Sequence, residues 1–150
     1  MLTAGDIMTK DVVMLSPDMS VADTSELLVR YRIHGAPVVD AAGQLIGMVS
    51  LVDLVGRVGE TVKEVMTPDP VSAGEDTPVE ELAGVMLEEI VRRIPIVEGG
   101  RLIGIVSASD IIRVFLNLHD QTVARAEAGT ATVPAPQPRR RRAARRKVRR

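Results

Sequence analysis

The apolar positions of residues 12–50 follow a helical period between stretches that alternate like strands. Residues 12–15 predict a short strand, and residues 37–40 and 44–50 predict a β-hairpin about a turn at 41–43. Between them, Ser20-x-x-Asp23 is a capping-box start for a helix that runs to about Ile33. A second helix is predicted after Ser50. The apolar face of the first helix comprises Val21, Leu27, Leu28 and Tyr31.

This pattern occurs twice. A displacement of the sequence along itself aligns Met8-Thr9 with Met66-Thr67, and beyond the hairpin turn a displacement shorter by one position aligns Leu45-Ile46-Gly47 with Leu102-Ile103-Gly104. Fifteen identities occur in order, with one deletion at the turn. The chain is therefore predicted to be a tandem repeat of about 58 residues, of class α+β with the order β-α-β-β-α in each unit.

A lone unit of this size buries too little surface to be stable, so the two units are expected to pack about a pseudo-twofold axis with paired clefts between them. The predicted boundaries are 1–60 for the first repeat with an N-terminal helix and linker, and 61–128 for the second with a long C-terminal helix. Residues 129–150 are predicted to be a Pro-rich linker and a disordered Arg-rich tail. In the second repeat, Thr77 is expected to cap the first long helix, with Pro78 in its first turn.

Three motifs recur in both halves: MTKDVVMLSPDMSV with MTPDPVSAGEDTPV, GAPVVDAAGQLIG with RIPIVEGGRLIG, and GMVSLVD with GIVSASD. Over residues 3–120 the chain resembles the cystathionine-β-synthase (CBS) domain pair, or Bateman module. The resemblance implies regulatory binding of an adenosine-containing ligand (AMP, ADP, ATP, NAD or S-adenosylmethionine) in the clefts, with the bound state passed to a partner. It implies no required cofactor and no catalysis by the module itself.

The resemblance also implies the site residues, through a Gly-x-x-Ser-x-x-Asp motif in each half. Asp53 and Asp110 would accept hydrogen bonds from ribose hydroxyls. Phosphate or ribose would be bound by Ser50, Ser107, His34, Arg92 and Arg93. The adenine pocket would be lined by Thr9, Val13, Ile33, Thr67, Val71 and Val91. The motif serine and aspartate precede a helix, whose N-terminal N–H groups favour phosphate.

Other interpretations of these residues stay open. Ser-x-x-Asp is also a capping box, His34 could be a surface histidine, and Arg92-Arg93 could be solvated charges. The first half lacks the arginine pair, so the second half is expected to bind polyphosphate better. The sequence leaves open which half's pocket residues serve which aspartate.

Composition argues against an enzyme. The chain is 45% hydrophobic and 26% charged, with no Cys, two His and no GxxxxGK[ST] loop, and no His–carboxylate cluster has metal-ligand spacing. No apolar run approaches the ~18 residues of a membrane helix. The N-terminus also lacks a signal-peptide pattern, so we expect a cytoplasmic protein that does not contact a membrane.

The C-terminal region predicts partners of other kinds. One helix is predicted over 108–128, ended by Gly129, with two apolar stripes that favour a homodimer. Nine of the 19 basic residues lie in 139–150, and the rest of the chain carries ten basic against 20 acidic side chains. The tail could bind nucleic acid, dock on an acidic protein partner or be merely solvated. The alternative function is a protein that binds nucleic acid or an acidic partner through this tail, with the CBS pair as its dimerisation scaffold. The two apolar stripes are Ile111, Phe115 and Leu118, and Ile112, Leu116 and Val123.

Overall fold

The computed structural model describes residues 1–128, in which helices and strands alternate as an α+β chain. Met1–Phe115 form one compact unit, and the rest of the last helix belongs to a second one. The helices are α1 (Ala4–Ile7), α2 (Val21–Tyr31), α3 (Leu51–Gly56), α4 (Val62–Val65), α5 (Val79–Glu88) and α6 (Ala108–Ala128). The strands are β1 (Gly35–Val39), β2 (Leu45–Ser50), β3 (Thr67–Pro68), β4 (Arg93–Glu98) and β5 (Arg101–Ser107).

The two β-hairpins have the same construction. Strands β1 and β2 pair antiparallel with Gly35 opposite Ser50, and β4 and β5 pair with Arg93 opposite Ser107. Each hairpin has one register shift, at equivalent positions of the two repeats. The predicted hairpins and the tandem repeat are therefore confirmed, with the strands in the expected register.

The segment in front of each repeat pairs with the hairpin of the other repeat. Thr9 exchanges two backbone hydrogen bonds with Ile105 of β5, at 2.9 and 3.0 Å. In the equivalent place, β3 pairs with Gly47 and Met48 of β2. The two leading segments, residues 1–15 and 61–73, are thus exchanged between the repeats.

Two glycines make room for this exchange. A Cβ atom on Gly47 would lie 2.5 Å from the sulfur of Met66, and a Cβ atom on Gly104 would lie 2.9 Å from Cγ of Met8. Real side chains do not tolerate such separations. The glycine of each Gly-x-x-Ser-x-x-Asp motif therefore has a packing reason: it admits a methionine from the exchanged segment.

Each repeat has its own hydrophobic cluster, completed by a short helix from the exchanged segment. Val62 of α4 is buried in the cluster of the first repeat, and Ala4 of α1 is buried in that of the second. The buried cluster of the first repeat comprises Leu15, Leu28, Ala36, Val38, Val49 and Val62. That of the second comprises Ala4, Val79, Leu82, Met86, Ile94, Ile96, Val106 and Ile111.

Several local predictions are wrong. Residues 12–15 form no strand, because only Leu15 has a bridging neighbour, Val38. Tyr31 is exposed, since Arg32 takes a left-handed conformation (φ 53°) and ends helix α2 there. Helix α5 has Pro78 as its N-cap without a side-chain hydrogen bond, so Thr77 does not cap it.

The predicted bounds 108–128 for the last helix are confirmed by α6. Its predicted stop at Gly129, the Pro-rich linker 130–138 and the disordered basic tail 139–150 lie outside the described residues.

Candidate functional site

Two cavities in the compact unit flank the two Gly-x-x-Ser-x-x-Asp motifs. The Asp110 cleft, lined by Asp110 and by residues of the first leading segment, has a volume of about 440 Å³. The Asp53 cleft, lined by Asp53 and by residues of the second leading segment, has a volume of about 830 Å³. Both volumes suit a small-molecule ligand.

All thirteen residues that the sequence singles out line one of these clefts. His34 and Arg93 line both. The others in the Asp110 cleft are Thr9, Val13, Ile33, Ser107 and Asp110. The others in the Asp53 cleft are Ser50, Asp53, Thr67, Val71, Val91 and Arg92. The residues come together, and their roles in binding remain predictions.

The exchange of leading segments decides which pocket residues accompany which aspartate. Because Thr9 pairs with β5, the strand that ends at Ser107, residues of the first repeat lie beside Asp110. By the same construction, Thr67 pairs with β2 and lies on the cleft of Asp53. The sequence leaves this assignment open, and each cleft is built from both repeats.

Both Ser-Asp pairs form the capping box that the second interpretation expects. Ser107 N donates to Asp110 Oδ2 at 2.8 Å, and Asp110 N donates to Ser107 Oγ at 3.3 Å. The corresponding distances at Ser50 and Asp53 are 2.9 and 3.3 Å. Capping is thus confirmed, and it uses only Oδ2 of each carboxylate.

The other oxygen, Oδ1, is the one left for a ligand. Arg113 contacts Oδ1 of Asp110 at 2.9 Å, and Arg57 contacts Oδ1 of Asp53 at 3.4 Å. Each carboxylate oxygen has two lone pairs, so either Oδ1 can accept a further hydrogen bond. The two aspartate side chains are 16% and 14% exposed, and this exposure allows a ligand to reach them.

The two serines are less available to a ligand. Ser107 Oγ donates to Asp110 Oδ2 at 2.9 Å, and Ser50 Oγ donates to Asp53 Oδ2 at 3.1 Å. A hydroxyl has a single hydrogen to donate. Donation from Ser50 or Ser107 to a phosphate therefore requires that the hydroxyl leave its aspartate, and in this structure the serines hold the carboxylates in place.

Arg93 is the half-buried cation between the two clefts. Burial lowers the pKa of its guanidinium, and the positive charge of Arg92 lowers that pKa further. Among the residues the structure describes, Arg93 takes part in no ion pair. Its Nη1 lies 3.3 Å from where a Cβ on Gly35 would stand, so Gly35 leaves space for it. A bound anion would supply the counter-charge that Arg93 lacks.

Backbone hydrogen bonds place His34 and Arg92 beside the two motif helices. Leu51 N donates to the carbonyl of His34 at 3.0 Å, and Ala108 N donates to that of Arg92 at 2.8 Å. Both side chains are exposed. The free N–H groups at the start of α6 add a partial positive charge on the Arg92 side of the molecule.

The sequence prediction missed several charged residues of the clefts. Arg32 and Arg113 line the Asp110 cleft, and Asp69 and Glu89 line the Asp53 cleft. Arg113 could have been found, since it follows Asp110 by one helical turn. The expectation that the first half is poor in arginine is corrected, because its cleft residues include Arg32 and because each cleft draws on both repeats.

Residues 1–128 hold no group of three or more His, Cys, Asp or Glu side chains able to share a metal ion. The helices of this described part also include none that is long and apolar enough to cross a bilayer.

Two interlocked α+β repeats with a cleft on each motif define a tandem binding-module fold. The chain belongs to the CBS-domain family, whose model matches residues 4–60 and again residues 62–117. The predicted tandem CBS-domain fold is thereby confirmed.

Relatives of known structure carry adenosine compounds. The crystal structure of CBSX2 in complex with AMP superposes with a TM-score of 0.75 at 34% identity, covering 79% of this chain and 98% of that one. The CBS domain pair of protein MJ0100, in complex with 5′-methylthioadenosine and S-adenosyl-L-methionine, gives a TM-score of 0.72 at 28% identity, covering 77% and 96%.

Among curated proteins, the chain is 39% identical over 113 residues to the inosine-5′-monophosphate dehydrogenase of Methanocaldococcus jannaschii. The match covers 73% of this chain and 23% of that enzyme. The chain spans 21% to 66% of the length of other curated relatives that it matches. One of these is a chloroplast protein of Arabidopsis thaliana, so the cytoplasmic location stays a prediction.

Proposed function

We propose that this chain is a regulatory module that binds an adenosine-containing ligand in its clefts and passes the bound state to a partner protein. The observation that carries the proposal is the placement of a partly exposed aspartate Oδ1 beside a cavity in both repeats. Adenosine compounds in the structures of two relatives support the same ligand class.

The chemistry of the clefts fits such a ligand. A carboxylate accepts two hydrogen bonds from the cis-diol of ribose, and Arg93 offers a charge-assisted contact to phosphate. Adenine would lie against aliphatic side chains, because the chain has one Phe, one Tyr and no Trp. In this role the ligand is a regulator, with no cofactor and no catalytic step.

The test is a thermal-shift titration followed by calorimetry, with AMP, ADP, ATP, NAD, S-adenosylmethionine and cyclic di-AMP as probes. A ligand that binds only the folded state stabilises it by about 2.7 kcal/mol at a hundredfold excess over Kd. Replacing both Asp53 and Asp110 with Ala should remove the shift. Unchanged affinity in that double variant would overturn the proposal.

Asp6→Ala is the matched control for the lost capping. Asp6 Oδ2 accepts from Thr3 N at 2.9 Å in a capping box of the same kind, and Asp6 lines neither cleft. Loss of a cap costs about 1 kcal/mol of stability in each case. Only the cleft aspartates should also change ligand affinity.

We also propose that two copies associate through their helices. Three pairs of repeat-equivalent apolar side chains are exposed, which gives the two repeats similar surfaces. A second copy would remove these side chains from water. The pairs are Val29 with Leu87, Val55 with Ile112, and Val58 with Phe115.

The second candidate function rests on the charge of residues 139–150. Nine basic side chains there favour nucleic acid or an acidic protein partner, and the rest of the chain is acidic. Deleting 139–150 should then abolish RNA or DNA binding at low salt, whether or not nucleotide is present. Equal retention of nucleic acid by the full and shortened chains would contradict it.

A further inference from the structure

The two clefts carry different charges although the repeats that form them are similar. Three arginines and two aspartates line the Asp110 cleft, whereas two arginines and three carboxylates line the Asp53 cleft. The charged residues of the first are Asp11, Arg32, Arg93, Asp110 and Arg113. Those of the second are Asp53, Asp69, Glu89, Arg92 and Arg93.

Equivalent positions explain the difference. Arg32 of the first repeat corresponds to Ile90 of the second, and both are the left-handed residues that follow helices α2 and α5, with φ of 53° and 55°. The same backbone conformation thus presents a cation to one cleft and an apolar side chain to the other. One position earlier, Tyr31 corresponds to Glu89, which lines the Asp53 cleft.

The shared Arg93 does not cancel this difference. It lines both clefts and, among the described residues, has a carboxylate partner in neither, so it is available to a ligand on either side. The other arginines of the Asp110 cleft are Arg32 and Arg113. In the Asp53 cleft only Arg92 adds to it, against Asp69 and Glu89. A phosphate entering the Asp53 cleft therefore meets more negative charge.

We propose that the clefts select adenosine ligands by charge, a refinement that rests on the adenosine binding proposed above. The Asp110 cleft takes an adenosine ligand that carries phosphate. The Asp53 cleft takes an adenosine ligand whose 5′ substituent is neutral or cationic, and its volume of about 830 Å³ leaves room for a substituent of amino-acid size. The chain would then respond to two different compounds at once.

The experiment is calorimetry of the full chain with AMP and, separately, with S-adenosylmethionine, on the Asp53→Ala and Asp110→Ala variants. AMP affinity should fall roughly tenfold or more in Asp110→Ala and stay unchanged in Asp53→Ala, since a charge-assisted hydrogen bond to the diol is lost only in the first. S-adenosylmethionine should show the opposite dependence.

A charge exchange tests the cause of the selection. Arg32→Ile should weaken AMP binding several-fold, and Ile90→Arg should create a second AMP site that disappears on adding Asp53→Ala. Arg30→Ile is the matched control, because Arg30 is exposed, contacts Glu26 and lines neither cleft. It should leave both affinities unchanged, and high salt should weaken AMP binding more than S-adenosylmethionine binding.

The two proposals fail in different ways. If AMP binding depends equally on Asp53 and Asp110, or on Asp53 alone, charge selection is overturned and adenosine binding stands. An equal effect of Arg30→Ile and Arg32→Ile also overturns charge selection. If no adenosine compound depends on either aspartate, the proposed function itself is overturned, and this refinement with it.

Discussion

Asp110 uses its two carboxylate oxygens for different contacts, one for the helix cap and one for Arg113. Ser-x-x-Asp has the same spacing whether it caps a helix or binds a ligand, so sequence alone could not separate these roles. The structure shows that the two are compatible, because the cap leaves Oδ1 directed to other partners. Asp53 repeats this division with Arg57.

Ile90 is the residue at which a substitution should raise stability. A β-branched residue with φ of 55° is strained, and the side chain is 90% exposed, so little packing depends on it. Ile90→Gly should raise the free energy of unfolding by about 0.5–1 kcal/mol, measured by urea denaturation.

The matched control for Ile90→Gly is Leu87→Gly, an exposed apolar residue within helix α5. Glycine there costs about 1 kcal/mol, so the two variants should change stability in opposite directions. A loss of stability in Ile90→Gly would contradict the assignment of strain to this residue.

At the level of elements, the sequence predicts what is local and misses what joins distant segments. The hairpins and helix α6 follow from periodicity within short stretches of chain, and their predicted bounds agree with the structure. The pairing of Thr9 with Ile105 joins residues almost a hundred positions apart, and no local pattern encodes it. Repeat symmetry predicts a cleft on each half, but only the exchange tells which residues share it.

The exchange of leading segments can be tested at the glycines that admit it. Gly104→Ala places a methyl group against Met8 and should destabilise the chain by about 1–3 kcal/mol. Adding Met8→Ala removes the clash, so the double variant should lose less than the two single losses combined. Thermal or urea unfolding of the four proteins measures this coupling.

The equivalent pair in the other repeat supplies the control. Met66 packs against Gly47, so Met66→Ala should relieve Gly47→Ala and leave the cost of Gly104→Ala unchanged. Coupling of Gly104 to Met66 in place of Met8 would contradict the pairing described above.

For the molecule as a whole, the exposed apolar side chains on both repeats lead to a prediction about assembly. Phe115 is 52% exposed and Val58 is fully exposed, at equivalent positions of the two repeats. Phe115→Asp should therefore shift the molar mass, measured by light scattering after gel filtration, from a dimer toward a monomer, because a charge is costly to bury at an interface.

Met14→Asp is the control for assembly. Met14 is an exposed apolar residue outside the helices, so its replacement should leave the molar mass unchanged. A monomer in the unsubstituted chain at micromolar concentration would contradict the proposed association.

The exchanged leading segments also bear on how such a chain is divided and joined. Cutting between residues 60 and 61 would leave each half carrying the segment that completes the other half's core. Two copies of one repeat could close each other in the same way, as in a domain-swapped dimer. Fusion of the two in one chain replaces an encounter between molecules with an effective concentration in the millimolar range. The tandem repeat is in this sense a swapped dimer whose two partners are always translated together.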